Sequence, residues 1–207
     1  MKRENGSALE KFVGRGLLFL LALSLILGSC AKLPKRVLLS IPQRKAEGIY
    51  KQVFLQVFAY WGSNLTEGEL SDALKAGWKP SNFAQVAKRH NLNLAFLLVD
   101  LKTIKKLIGH NFPIIIYGIR DFIDPFRGIA GYERSFFLVM GYDGGKKVFY
   151  VWNSLNNRTD EVPYSVADLS WWKGRGEGEI FLIFPKEKQE LVKKLVPSEA
   201  FQKGKEI

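Results

Sequence analysis

Thiols and imidazoles are nearly absent from these 207 residues, which hold one cysteine, Cys30, and two histidines, His90 and His110. A single cysteine closes no intrachain disulfide and builds no cysteine-based metal site. The histidines are not four residues apart and have no HExxH context. No metal and no cofactor is therefore expected. The chain also has no run of four basic residues and no nucleic-acid module signature, so nucleic acid is not an expected partner. Internal repeats and low-complexity segments are missing as well.

Positive charge is plentiful. The formal net charge is +11, and the +2 carried by residues 1–29 leaves +9 from Cys30 onward. A basic face suits anionic lipid or nucleic acid, but these cations are spread along the chain, and a solvated surface is the expected reading. Hydrophobic residues make up 47% and aromatics 13%, which excludes a disordered chain. The length suits a leader plus one domain with a sizeable core.

The leader is legible. Residues 1–15 are polar and basic, and Gly16 to Leu27 is mostly aliphatic. That run is shorter than the ~20 apolar residues of a spanning helix and fits a signal-peptide core. It ends in Leu27-Gly28-Ser29-Cys30, which resembles the lipobox of bacterial lipoproteins. The resemblance implies cleavage after residue 29, acylation of Cys30 and a membrane as partner through that lipid. An uncleaved anchor with an incidental cysteine is the competing reading. Either places the domain outside the cytoplasm, in the cell envelope. Ala31 after the cysteine implies transfer to the outer membrane, facing the periplasm, in a diderm cell. A lipidated Cys30 is a thioether and cannot be a nucleophile.

In the remaining chain, residues 32–43 read as an extended arm with two prolines. Gly48 to Trp61 carries Val53, Phe54, Val57, Phe58 and Trp61 at helical spacing, with Gly62 as its stop. Thr66 to Glu69 is a capping box opening a second helix toward Gly77. Ser81 is expected to cap a third. Leu92–Val99 reads as a strand, Asp100 as the cap of a helix through Leu107, and Phe112–Tyr117 as a buried strand. Gly118 to Tyr132 is expected to be a loop. Glu133–Asp143 reads as a buried strand that pairs, through Gly144-Gly145, with 147–153. Arg158–Val162 and Gly178–Phe184 complete the strands, and Ser165 is expected to cap a helical turn carrying Trp171 and Trp172. Lys186–Leu195 reads as a charged helix, and the tail after Pro197 as frayed. The whole is α+β, N-terminal helices packed on an antiparallel sheet.

Several strings resemble the bacteriocin-processing, papain-like cysteine peptidases, over roughly Leu33 to Pro185. Leu33 to Gln43 resembles that family's entry arm, whose glutamine serves the oxyanion hole; Gln43 is retained. Tyr60-Trp61-Gly62 resembles the close of the nucleophile helix. Counting back puts the nucleophile at Ile49, followed by Tyr50 and Lys51 where the family has glycine and proline. Phe136–Asp143 resembles the strand after the catalytic histidine, whose place is taken by Ser135. Asn153 falls where a residue would orient that histidine. The resemblance thus implies a papain-like fold over residues 44–185, preceded by the lipid-attached segment 30–43 and followed by a helix and tail, 186–207. It also implies lost catalysis. Isoleucine has no lone pair, and a serine hydroxyl is no general base near neutrality.

Other constellations are weaker. His90 is expected to be solvated or capping, and His110 to sit at a helix C-terminus. Lys51 is the one candidate base for a serine at position 135. Asp121, Asp124 and Glu133 read as loop carboxylates paired with arginines. Phe122, Phe126, Ile129 and Tyr132 either line a cleft or pack the loop. The expected function is a lipoprotein pseudoenzyme whose peptidase-like cleft, at Gln43, Ser135 and Asn153, binds a peptide or an envelope protein. A hydrolase with a relocated serine site and a structural subunit of an envelope assembly are the alternatives.

Overall fold

The computed structural model describes residues 33–75, 80–123, 130–153, 158–167 and 177–203. Residues 1–32, Cys30 among them, and Trp171 and Trp172 lie outside them. The elements run β1 (Arg36–Leu38), α1 (Ile49–Tyr60), α2 (Glu67–Lys75), α3 (Pro80–Arg89), β2 (Leu92–Asp100), α4 (Leu101–Gly109), β3 (Ile114–Ile123), β4 (Ala130–Asp143), β5 (Val148–Asn153), β6 (Arg158–Pro163), β7 (Glu177–Pro185), a 3-10 turn (Lys186–Lys188), α5 (Gln189–Leu195) and α6 (Ser198–Lys203).

All strand pairs are antiparallel, in the order β2-β7-β3-β4-β5-β6. β1 joins the end of β4, where Val37 faces Tyr142. One edge of β4 is therefore shared, by β3 along residues 130–139 and by β1 along 141–143. Between them the register of β4 on β5 slips between Val139 and Gly141, a bulge that bends the strand.

Helices cover both faces of the sheet. Ile114, Ile116, Val139, Val151, Ile180 and Leu182 pack with Ile104, Leu107 and Ile108 of α4 and Val192 of α5. The alternate residues Ile115, Leu138, Met140, Trp152, Phe181 and Ile183 pack with Phe54, Val57 and Phe58 of α1 and Phe83 and Val86 of α3. This two-sided burial explains why the strands read as continuous apolar runs rather than alternating ones. Phe54 is the pivot of the second cluster: it stacks on Phe83 at 4.9 Å and meets Phe136 and Phe181 at 5.8 Å.

The α+β expectation holds, and three local readings are corrected. Gly118–Tyr132 is largely not a loop. β3 runs to Ile123 and β4 starts at Ala130, with Gly118 to Ile123 in ladder register with Ser135 to Ala130. The polar composition suggests a loop, but each strand satisfies its partner's backbone, and that pairing overrides local propensity. Ser81 is not a cap. The helix begins at Pro80, whose fixed φ suits a first helical position. The tail after Pro197 continues into α6, with Ala200 buried and its N–H bonded to the Pro197 carbonyl at 3.0 Å.

Candidate functional site

The arm, α1 and β4 meet at one end of the second cluster. Tyr142 donates its hydroxyl to the Pro34 carbonyl at 2.8 Å, and Leu39 N–H bonds Met140 O at 2.8 Å. Leu39 is buried and Ile41 half-buried, whereas Gln43, Arg44 and Lys45 are exposed. The chain then turns at Gly48, φ +91°, which an L side chain rarely adopts. α1 opens at Ile49 with no side-chain cap and no acidic residue in its first turn. Lys51 is held by Glu67, Nζ to Oε1 2.8 Å. That bond raises the lysine's pKa and lowers the carboxylate's, so Lys51 is an occupied cation rather than a base in waiting.

Ser135 lies on β4 one residue before Phe136, its backbone opposite Gly118. Asn153 ends β5, opposite Arg158. α1 packs on the β4 face that carries Phe136, Leu138 and Met140. For Ile49, Ser135 and Asn153 the description is one of backbone, and their side chains lie outside it. The same holds for Asp121, Phe122, Tyr132 and Glu133, while Asp124, Phe126 and Ile129 fall outside the described residues altogether.

No family model matches the chain. No curated protein matches it. Among solved structures it is similar to the peptidase domain of Streptococcus ComA, a bi-functional ABC transporter involved in a quorum sensing pathway. Identity is 15% over 72% of this chain and 98% of that one, with a TM-score of 0.47. This is a distant, partial likeness, and it says nothing about catalysis here.

The far end of α1 holds a cluster that the sequence expectations do not include. Trp61 donates its indole N–H to Ile183 O at 2.7 Å and Tyr60 its hydroxyl to Asn111 O at 3.1 Å, pinning the helix end to the sheet. Gly62, φ +77°, then reverses the chain. Ser63 follows, with its Oγ 2.9 Å from Nδ1 of His90, and Nε2 of the same ring lies 3.1 Å from Oε1 of Glu69. His90 does end α3, as its expected capping role requires: its N–H reaches the Val86 and Ala87 carbonyls. Its ring, however, is mostly buried. The side chain is 18% exposed and stands edge-on to Phe58 at 5.7 Å. Glu69 gives its other oxygen to the N–H and hydroxyl of Thr66, at 3.0 and 2.8 Å. Those two bonds, backbone first, and then His90 hold its carboxyl at a pKa of about 2. His110 closes α4 as expected, Nδ1 donating to Lys106 O at 2.8 Å.

A groove of about 560 Å³ runs between α2 and α3, lined by Asp72, Asn82, Gln85, Val86 and Arg89. Asp72 is one turn beyond Glu69, and Arg89 immediately precedes His90. Among the described residues no group of His, Cys, Asp and Glu could hold a metal ion, and no helix is long and apolar enough to cross a membrane.

Proposed function

We propose that this chain is a membrane-tethered domain of the bacterial cell envelope on a papain-like scaffold, which holds an extended peptide or a partner protein without thiol catalysis. The observation that carries the reading is the start of α1. The helix that follows the arm opens on Gly48-Ile49-Tyr50, and Cys30, nineteen residues upstream in the leader motif, is the one cysteine the chain has. Among the described residues both imidazoles are held elsewhere, His90 on Ser63 and Glu69 and His110 on the Lys106 carbonyl. What remains beside α1 is an arm bonded to β4 and an exposed Gln43, a surface suited to backbone hydrogen bonds with an extended ligand.

The tether has support from charge placement. Lys35 lies over the Gly144-Gly145 turn and its carbonyl accepts from Gly144 N–H at 2.8 Å. Arg36 is 63% exposed, Lys146 and Lys147 are exposed, and Lys105 sits over the Tyr164 ring at 4.7 Å. These cations outnumber Asp143 and Glu161 at the end of the domain where the arm enters. Lys35 is five residues from Cys30, at most ~17 Å of extended chain. A lipid on Cys30 would therefore bring this basic end against anionic headgroups.

A photo-crosslinking amino acid at position 43 tests the binding reading in intact cells. Crosslinks to a peptide or an envelope protein are expected from position 43. Crosslinks obtained from Glu190 on α5 but not from position 43 would favour the structural-subunit alternative and refute this one.

A further inference from the structure

We propose that Ser63, His90 and Glu69 form a hydrolytic site for carboxylic esters, with Ser63 as nucleophile, His90 as general base and Glu69 as the residue that positions the base. This goes beyond the binding reading and is independent of it. α1 has twelve residues, so its start, which follows the arm, and its end, which precedes Ser63, are about 18 Å apart.

The geometry is self-consistent. An ionised Glu69 accepts from Nε2–H, so the proton sits on Nε2 and Nδ1 keeps a lone pair. Nδ1 is the nitrogen 2.9 Å from Ser63 Oγ, within reach for a base to take a hydroxyl proton. Every partner is held by backbone. Ser63 N–H bonds Phe58 O at 2.9 Å, Glu69 is the third residue of α2 with its N–H on Thr66 Oγ1, and His90 closes α3. Three helix ends thus converge to fix three side chains that sequence separates by 6 and 21 positions. The cluster is reachable from solvent. Glu69 is 34% exposed, Ser63 is half-buried, and Gly62 and Asn64 on either side of it are exposed. The α2–α3 groove is lined by Asp72, three residues after Glu69, and by Arg89, next to His90 in the chain.

In the first step Ser63 Oγ attacks the ester carbonyl carbon while its proton passes to Nδ1. The carbon–oxygen bond to the leaving alcohol breaks, and that alcohol takes the proton from Nδ1. Water then gives a proton to Nδ1 and its oxygen to the acyl-serine. Carboxylic acid leaves, and Ser63 recovers its proton. Glu69 stays ionised throughout and stabilises the transient imidazolium.

The test uses the full chain in detergent, an alkyl fluorophosphonate probe and p-nitrophenyl butyrate. Peptide mapping should find the phosphonyl adduct on Ser63. Ser63→Ala should lose ester turnover at least ~100-fold, as should His90→Gln. Glu69→Gln can keep the helix cap, since glutamine also serves a capping box. It should lower kcat with KM unchanged, because the ring loses the carboxylate that holds Nδ1 toward Ser63 while substrate contacts stay as they were. A folded wild-type protein with no adduct on Ser63, or an adduct formed equally well in His90→Gln, would overturn the proposal and leave the cluster as a tie between helices. Mapping on the wild-type protein separates these outcomes whether or not the variants fold.

Discussion

Glu69 divides its two oxygens between local and long-range work, Oε2 to Thr66 in the capping box and Oε1 to His90. Its carboxyl is depressed from 4.5 to about 2. A depressed acid contributes stability that is fully present above pH 4.5 and is lost as pH falls toward 2. The group is a third exposed, so solvent screening reduces the contribution to ~1 kcal/mol. Denaturant melts at pH 6 and pH 3 should show wild type losing more stability than Glu69→Gln over that range. Glu69→Ala should cost ~1 kcal/mol at pH 6 through the lost cap. A second residue-scale prediction concerns Gly141. A Cβ there would lie 2.3 Å from Val37 O and 3.0 Å from Leu38 Cα. Both are backbone atoms of β1 that cannot swing away. Gly141→Ala should therefore push β1 off β4, costing upwards of ~2 kcal/mol, and amide exchange at Leu39 should accelerate. At this scale the Thr66–Glu69 box is readable in the sequence because it closes within one turn. The Ser63–His90 bond spans 27 positions and leaves no local signature; only the pairing of a glycine stop with a helix-ending histidine hints at it.

Among elements, the β3–β4 hairpin shows where local reading gives way. Ile114–Tyr117 and Phe136–Met140 are apolar and legible as strands. Arg120, Asp121, Glu133 and Arg134 look like loop residues, yet Arg120 pairs with Glu133 and Ile119 with Arg134 in the ladder. A strand's outer stretch needs a partner backbone rather than an apolar pattern, and the partner is not visible in a window of sequence. α1 is legible because its stripe is strict. Val53, Phe54, Val57 and Phe58 are buried to 1% exposure or less. Phe54 touches three rings, one on α3 and two on the sheet, and so links α1 to both. Phe54→Ala should cost about 3–5 kcal/mol in equilibrium unfolding. Near-UV circular dichroism at 20 °C should weaken with it, since the rings around the cavity lose their fixed packing.

For the molecule as a whole, the α+β class follows from element order, while the two-sided sheet follows from tertiary pairing that sequence does not announce. β7, the last strand, inserts between β2 and β3, and that crossover brings Phe181 and Ile183 under α1. On the reading proposed above, function turns on a contrast within one chain: α1 opens on Ile49 without a thiol, and the chain's one cysteine, Cys30, lies nineteen residues before it. Incubating the full chain with an extended-peptide library, with and without iodoacetamide, and following bound and free peptide by mass spectrometry tests this contrast most directly. Peptide should be recovered bound and uncut, with alkylation making no difference. Cleavage that iodoacetamide abolishes would contradict a domain that binds without thiol catalysis.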